Sequence, residues 1–310
     1  MSIVFLFPGQ GSQYSGMLQE LPKHRRVTSV LDEATSLLGT DIFRFDNEES
    51  LKSTRAVQLS IFISSVAVGR ALIEDGAKPS MVAGHSVGAF AAAVTAGVIP
   101  FEDALHLVNL RGQLMEAAYP DGYGMGVVLG LTKQQVKSII EQVTTKETPV
   151  YLANINSPTQ ITISGTKRGI ESVLALAQSS GARKVQMLQV NVPSHCPLLE
   201  DVSVKLDVAL RNIEISSPTV PYIANCNARP LRDGEAIRND LALSVANSVQ
   251  WHEATRVCYE LGGRLFLEMP PGQVLTDLAS QAFLDARAIS VTTSGLDSAL
   301  LLAQREQENE

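Results

Sequence analysis

Short apolar runs alternate with longer stretches of helical spacing along the whole chain of 310 residues. The first run, IVFLF at 3–7, has the length and composition of a buried strand. Helical spacing predicts helices near 57–75 and 101–118, and the run PSMVAG at 79–84 predicts a strand between them. Strands that alternate with helices are typical of a parallel or mixed sheet covered by helices. The pattern therefore predicts an α/β protein.

The pattern changes after GYGMG at 122–126, which is typical of a hinge. Six elements then follow in the order strand, helix, strand, strand, helix, strand, which is the order of a ferredoxin-like domain. The predicted elements are strands at 125–131, 150–154, 160–164 and 184–190 and helices at 133–143 and 168–179. We therefore expect a small ferredoxin-like α+β domain of residues 124–192 inserted into a larger α/β domain formed by 1–123 and 193–310.

Composition narrows the classes of function. The net charge of −7 argues against broad nucleic-acid binding but says little about a small anionic ligand. No uninterrupted apolar run approaches the roughly 18 residues of a membrane span. Cys196, Cys226 and Cys258 are scattered, which suits a reducing compartment and offers no metal site. We therefore expect a cytoplasmic protein that binds neither nucleic acid nor a membrane.

The stretch AGHSVGAFAAAVTAG at 83–97 places Ser86 between two glycines, after a predicted strand and before a predicted helix. This is the setting of a nucleophile elbow, a sharp turn that presents a serine hydroxyl at the edge of a sheet. Gly84 and Gly88 supply small neighbours, and the amide of Val87 would face an oxyanion at the helix N-terminus. The same residues also fit an ordinary helix N-cap, so spacing alone leaves both interpretations open.

A serine nucleophile needs a base, and the chain has five histidines. His195 differs from the others because it lies in NVPSHCP, a proline-framed loop where the chain leaves the predicted small domain. A loop at a domain junction is a favourable wall for a cleft. His195 is therefore the candidate base, and the alternative is a histidine that only stabilises the junction.

Arg111 interrupts the apolar face of the helix predicted at 101–118. No carboxylate lies three or four residues away, so the helix itself offers no ion pair. A buried guanidinium needs a partner, because an unpaired buried charge costs several kcal/mol. Three partners remain open: a carboxylate of another segment, water reached by snorkelling, and a substrate carboxylate held by two hydrogen bonds.

The loop FPGQGSQ at 7–13 connects the first predicted strand to a helix. It matches neither of the glycine-rich phosphate-binding patterns, so nucleotide binding is disfavoured. A loop at this edge of the sheet can instead give a main-chain amide to an oxyanion hole. Gln10 is the candidate donor.

Six segments together resemble the malonyl-CoA:acyl-carrier-protein transacylase family. They are FPGQGSQ, GHSVGAF, LVNLRGQLMEAA, NINSPTQITISG, NVPSHCPLL, and SVQWHEA with PPGQVLTDL, in family order over nearly the whole chain. The resemblance implies a hydrolase-like α/β domain with a ferredoxin-like insertion. It also implies an enzyme that carries malonyl from malonyl-CoA to the thiol of an acyl carrier protein, with no tightly bound cofactor and no metal.

The resemblance implies a role for each of eight residues. They are Ser86 as nucleophile, His195 as general base, Arg111 as the group that grips the malonyl carboxylate, Gln10 and Val87 as oxyanion donors, Gln250 as the residue whose main-chain carbonyl orients the histidine, and Gln58 and Asn156 as substrate-binding residues.

Three departures from the family pattern resemble one branch of it. The glutamate usual after GHSxG is Ala89 here, VQLSI replaces TQPAL, and the late GPG is PPG at 270–272. These features resemble the malonate decarboxylase branch, in which the acceptor is the decarboxylase's own carrier subunit, so we expect transfer to that carrier. The alternatives are a fatty-acid-synthesis transacylase, a serine thioesterase or hydrolase, and a non-catalytic docking subunit.

Overall fold

The structure is a computed structural model that describes residues 2–119 and 121–308, which form two sheets with flanking helices. The strands are β1 (Ser2–Phe7), β2 (Met81–Gly84), β3 (Tyr123–Leu129), β4 (Val150–Ser157), β5 (Gln160–Thr166), β6 (Lys184–Met187), β7 (Tyr222–Ile223), β8 (Pro230–Leu231), β9 (Gly263–Glu268) and β10 (Arg287–Ser290). The α-helices are α1 (Arg25–Leu38), α2 (Thr54–Glu74), α3 (Gly88–Thr95), α4 (Phe101–Ala118), α5 (Lys133–Val143), α6 (Lys167–Ser179), α7 (Glu200–Leu210), α8 (Gly234–Leu243), α9 (Trp251–Glu260), α10 (Val274–Ala282), α11 (Val291–Ser294) and α12 (Leu296–Glu308).

The larger sheet has six strands in the order β10-β9-β1-β2-β7-β8. Five of them run parallel, and β8 is antiparallel to β7 at one edge. Parallel strands need crossover connections, which are usually helices that cover the sheet. Accordingly, β1 is buried along its whole length after Ser2. The α/β class predicted from the alternation of strands and helices is confirmed.

Helix α2 belongs to the main hydrophobic core. Its length and mean hydropathy of 1.7 would suit a membrane span. The sequence of α2 has no long uninterrupted apolar run, because serines and Gln58 break it into shorter runs. In the folded protein 89% of the most apolar 18-residue stretch of this helix is buried. The helix is therefore explained as a core element that packs against α1, α3 and α4.

The smaller sheet has four antiparallel strands in the order β4-β5-β3-β6, and α5 and α6 pack on it around a separate apolar cluster. Its elements follow the predicted order of strands and helices. Strand β4 is longer than expected and ends at Ser157, whereas β6 ends at Met187 and not at 190. Past Leu188, whose amide donates to the Met125 carbonyl, the chain leaves the sheet. Independent domains with boundaries at 124 and 192 remain a prediction.

The smaller sheet is hydrogen-bonded to the rest of the chain at Val249. Its carbonyl accepts a hydrogen bond from the Ile155 amide at 2.9 Å, and its amide donates to the Ala153 carbonyl at 2.9 Å. This short parallel pairing ties the segment after α8 to strand β4. A cavity lies next to the junction, lined by residues that follow β1 and β2 and by residues of the smaller sheet.

Candidate active site

Ser86 lies in the sharp turn between β2 and α3. Its φ of 56° is left-handed, a conformation that costs about 1–2 kcal/mol for a residue with a side chain. Two neighbours without side chains make the turn sterically feasible. A Cβ on Gly84 would lie 2.2 Å from main-chain atoms of Gly88, and a Cβ on Gly88 would lie 2.2 Å from the Phe7 carbonyl oxygen. The strand–turn–helix geometry predicted around Ser86 is therefore present.

His195 reaches Ser86 from the segment that returns from the smaller sheet. Its Nε2 lies 2.7 Å from the Ser86 Oγ, and its Nδ1 lies 2.6 Å from the main-chain carbonyl oxygen of Ser244. A carbonyl only accepts hydrogen bonds, so Nδ1 carries the proton and Nε2 can accept one from the serine hydroxyl. The φ of His195 is 64°, so both residues of the pair have the strained backbone that clusters at functional sites.

The imidazole of His195 is neutral at neutral pH. Burial, and secondarily the positive charge of Arg111, lower its pKa to about 3. The carbonyl of Ser244 opposes this shift because it accepts the Nδ1 proton. The lone pair on Nε2 is therefore available to take a proton from Ser86.

The prediction that the Gln250 main-chain carbonyl orients His195 was wrong. That carbonyl accepts from the Ala254 amide at 2.9 Å in the first turn of α9. The carbonyl of Ser244 holds the imidazole instead. Ser244 caps the C-terminus of α8, where the last carbonyls of a helix have no helical partner. Sequence reasoning missed it because a main-chain carbonyl is independent of residue type.

Arg111 extends from α4 toward the same serine. Its Nη2 donates to the Ser86 Oγ over 3.1 Å, the residue is only 1% exposed, and its Nε has no partner among the described residues. The ion pairs found within 2–119 and 121–308 do not include it. Burial lowers its pKa to about 10, so it stays charged at neutral pH. Neither an internal carboxylate nor snorkelling to water explains this cation.

A cavity surrounds the serine, the histidine and the arginine. Gln58 on α2 lines it, with Nε2 3.3 Å from the Met115 Sδ and with Oε1 unpartnered in the described part of the chain. Asn154 on β4 reaches it from the smaller sheet, and its Oδ1 is likewise unpartnered there. Sequence reasoning missed Asn154, although its spacing of two residues from Asn156 could have placed both on one face of a strand.

The main-chain amides of Gln10 and Val87 make no hydrogen bond to another residue within the described ranges. Both residues line the cavity beside Ser86. Val87 directly precedes α3, so its amide lies at a helix N-terminus, where the dipole favours negative charge. The two amides are therefore free to donate to an anionic oxygen in the cavity.

Asn156 lines a neighbouring cavity and not the cavity of Ser86. Its Oδ1 lies 3.1 Å from the Nε2 of His85, and burial lowers the pKa of that histidine. The His85 ring also packs edge-on against Trp251. His85, Gln10 and other residues line both cavities, so the two are adjacent.

Comparison with known proteins assigns the chain to a family. The acyl transferase domain family matches residues 4–303. The malonyl CoA-acyl carrier protein transacylase of Escherichia coli strain K12 is 37% identical over 283 residues, which cover 89% of this chain and 91% of that protein. The chain belongs to the malonyl CoA-acyl carrier protein transacylase family. The transacylase of Bacillus subtilis strain 168 is 34% identical over 314 residues, which cover 99% of both chains.

Solved structures of transacylases share the whole fold. The transacylase of Coxiella burnetii superimposes with a TM-score of 0.93 at 34% identity and covers 98% of both chains. A malonyl-transacylase solved in complex with a type II PKS acyl-carrier protein has a TM-score of 0.92 at 36% identity, with 99% of this chain and 100% of that chain covered. The transacylase fold therefore includes both the parallel sheet and the four-stranded antiparallel sheet.

Proposed function

We propose that this transacylase moves a malonyl group from malonyl-CoA to the thiol of an acyl carrier protein through an ester on Ser86. The observation that carries the proposal is the contact of 3.1 Å between the Arg111 guanidinium and the Ser86 Oγ. A buried cation that has no ion pair among the described residues, this close to a nucleophile, suits a substrate with both a reactive carbonyl and a free carboxylate. A malonyl thioester has these two groups on either side of one methylene.

The first half-reaction forms the seryl ester. His195 accepts the Ser86 proton at Nε2 as Oγ attacks the thioester carbonyl carbon. The carbonyl oxygen becomes an oxyanion, and the amides of Gln10 and Val87 donate to it, each lowering the barrier by about 3 kcal/mol. The bond from carbon to sulfur then breaks, and His195 gives its proton to the leaving CoA sulfur.

Arg111 selects the acyl group. Its guanidinium binds the free carboxylate by two hydrogen bonds while the malonyl group is held on Ser86. Gln58, whose Oε1 has no partner among the described residues, forms the polar wall beside it. An acetyl group would leave Arg111 without an anion, at a cost of about 2–5 kcal/mol.

The second half-reaction reverses the first with another thiol. The carrier thiol gives its proton to His195 and attacks the ester carbonyl, and Ser86 leaves with that proton. The carrier thiol stands at the end of a flexible arm. We assign the neighbouring cavity to this arm, because Gln10, His85 and Asn154 line both cavities. Asn156 in that cavity is the second amide side chain available to the arm.

The proposed steps use only groups of this chain, the thioester of malonyl-CoA and the thiol of the carrier. We therefore propose no tightly bound cofactor and no metal. We also propose a cytoplasmic location, which the free thiols of Cys196, Cys226 and Cys258 support because a reducing compartment keeps thiols unpaired.

The acceptor has two candidates. An acyl carrier protein has the wider support, because the relatives compared above include that acceptor in their names. A malonate decarboxylase carrier subunit is favoured by the sequence departures alone. Two of these departures lie in the protein interior: Ala89 is fully buried in α3, and the Pro270 carbonyl accepts from the Ser65 Oγ at 2.6 Å.

A competition experiment separates the two candidates. Malonylated enzyme is offered equal amounts of both carriers, and the physiological acceptor should discharge the ester faster.

Intact-protein mass spectrometry after brief mixing with malonyl-CoA tests the main proposal. We expect a malonyl adduct on the wild type, none on Ser86→Ala, and none with acetyl-CoA. Ser179→Ala, a serine at the end of α6 that donates to the Leu176 carbonyl in the same helix, is the control and should keep the adduct. Release of CoA without an adduct would favour a thioesterase, and neither adduct nor release would favour a docking subunit.

A further inference from the structure

The strained turn of Ser86 is held by one side chain from another part of the sheet. The Ser86 main-chain amide donates to the Oδ1 of Asn225 at 3.0 Å, and the Nδ2 of Asn225 donates to the Gly84 carbonyl at 2.9 Å. One carboxamide thus bonds the main chain on both sides of His85. Asn225 is 2% exposed, so water does not replace either bond.

The position of Asn225 follows from the parallel pairing of β2 with β7. These strands pair Val82 with Tyr222 and Ala83 with Ile223. Beyond this point β2 enters the sharp turn, and the two main chains no longer share a regular ladder. Asn225 lies two residues past the end of β7, and its side chain supplies the donor and the acceptor that a strand would have supplied.

The main-chain amide and the main-chain carbonyl of Asn225 are both hydrogen-bonded. Its amide donates to the Oδ2 of Asp240 at 2.9 Å, and its carbonyl accepts from the Gln250 amide at 2.8 Å. Asp240 lies on α8 and also accepts from the Tyr222 hydroxyl and the Cys226 amide. Asn225 therefore cannot shift without breaking a buried network.

The same helix also orients the base. Asp240 is in α8, and Ser244, whose carbonyl accepts from His195, caps the C-terminus of that helix. Helix α8 thus connects to Ser86 through Asp240 and Asn225, and to His195 through Ser244. The distance of 2.7 Å between the His195 Nε2 and the Ser86 Oγ depends on both connections.

We propose that Asn225 is a positioning residue that sets the Ser86 hydroxyl against His195, and that α8 is the common support of the pair. The inference rests on the proposed role of Ser86 as the nucleophile. Asn225 acts through the main chain of the turn and touches neither reacting atom. Its loss therefore lowers the rate of acylation more than the affinity for the substrate.

The test compares Asn225→Ala with the wild type and with Asn227→Ala. Asn227 is the matched control because it is an exposed asparagine of the same loop whose Oδ1 accepts only from the Arg229 amide in the described structure. We expect Asn225→Ala to lower the acylation rate with malonyl-CoA by about 10- to 100-fold. We expect KM to change by less than about threefold, and Asn227→Ala to match the wild type.

Labelling of Ser86 with a fluorophosphonate gives a readout that does not depend on the acyl substrate. We expect the labelling rate of Asn225→Ala to fall by a similar factor. If malonyl-CoA is not the substrate, the labelling still reports on Asn225, so the two proposals fail separately. A folded Asn225→Ala protein that is labelled at the wild-type rate would overturn the inference.

Asn225→Asp covers the case in which Asn225→Ala does not fold. The ionised carboxylate would place an acceptor against the Gly84 carbonyl, whereas the protonated acid can donate there and still accept from Ser86. Asp240, the charged side chain that contacts this residue, raises the pKa of the introduced acid. We expect the ratio of Asn225→Asp to wild-type labelling rates to rise as the pH falls. A ratio near unity at every pH would contradict the positioning role.

Discussion

The reacting pair and the cation beside it are held in opposite ways. The Ser86 amide has a partner in Asn225, and the His195 imidazole lies between the Ser244 carbonyl and the serine hydroxyl. Arg111 instead donates to the Ser86 hydroxyl from Nη2, while its Nε has no partner in the described structure. The reacting pair is preorganised, whereas the neighbouring cation has spare hydrogen-bonding capacity.

This difference separates the sources of rate and of selectivity. Preorganised groups need no rearrangement in the transition state, which is how fixed donors and bases accelerate a reaction. An unpaired buried polar group costs about 1–3 kcal/mol, and a charged one more, so a ligand that supplies its partner recovers that free energy. Rate therefore comes from bonds that the free protein has already made, and selectivity from bonds that it lacks.

Replacing the base should have the largest effect. We expect His195→Ala to lower kcat by about 10⁴- to 10⁶-fold, because no other group accepts the serine proton. His106→Ala is the matched control, since His106 is exposed on α4. Steady-state transfer assays measure both variants. Activity of His195→Ala within tenfold of the wild type would remove this residue from the mechanism.

Removing the cation should act on selectivity. We expect Arg111→Ala to lower kcat/KM for malonyl-CoA by about 10²- to 10³-fold while transfer from acetyl-CoA is unchanged or faster. Arg211→Ala, which loses a solvent-exposed ion pair of 2.8 Å with Asp207, controls for the loss of an arginine. The ratio of the two kcat/KM values is the measurement. Equal losses with both thioesters would contradict the carboxylate-binding role.

The two halves of the site are coupled through the pKa of His195. Burial and Arg111 lower that pKa to about 3, so the rate of Ser86 labelling should stay constant well below the ordinary histidine value of about 6.5. In Arg111→Ala the acid limb should move to higher pH, because one cause of the lowered pKa is gone. Labelling rates measured from about pH 2.5 to about pH 8 cover both acid limbs and show the shift. An acid limb at the same pH in both proteins would contradict the coupling.

The same pKa gives a stability prediction with a definite sign. The unfolded histidine, with a pKa near 6.5, binds a proton more readily than the folded one. The contribution of neutral His195 to the free energy of unfolding is therefore fully present above about pH 6.5 and is lost as the pH falls toward 3. Denaturant titrations of the wild type and His195→Ala at several pH values isolate this contribution.

The smallest effect is expected at Gln250. Its main-chain carbonyl bonds within α9 and its side chain contacts Lys133 at 3.4 Å, so Gln250→Ala should change kcat by no more than about twofold. Ser244→Ala should also retain most activity, because the carbonyl that holds His195 belongs to the main chain. A tenfold loss in either variant would show that a side chain, and not only the main chain, supports the reaction at that position.

Local sequence patterns were sufficient for groups that are defined by residue type and spacing. Ser86 could be recognised from its two glycines, and Arg111 from its place on an apolar helix face without a carboxylate nearby. The alternation of strands and helices predicted both sheets, because burial imposes the periods of two and 3.6 residues on the sequence. Element ends were less accurate, as in β6, where pairing with β3 and not residue type decides the boundary.

Groups that act through the main chain or across distant segments could not be predicted in this way. The Ser244 carbonyl has no residue-type signal, and its place depends on where α8 ends. Asn225 is 139 residues from Ser86 in sequence, and only the pairing of β2 with β7 brings them together. The roles assigned to Gln58 and Asn156 came from family resemblance alone. Gln10 and Val87 were also predicted as oxyanion donors from the loop after the first strand and from the turn at Ser86.

The pairing of Val249 with β4 also links the orientation of His195 to the position of the smaller sheet. Only four residues lie between Ser244 and Val249, so the segment that holds the imidazole is anchored at one end to the smaller sheet. A displacement of the smaller sheet would therefore also displace the segment whose carbonyl holds the imidazole.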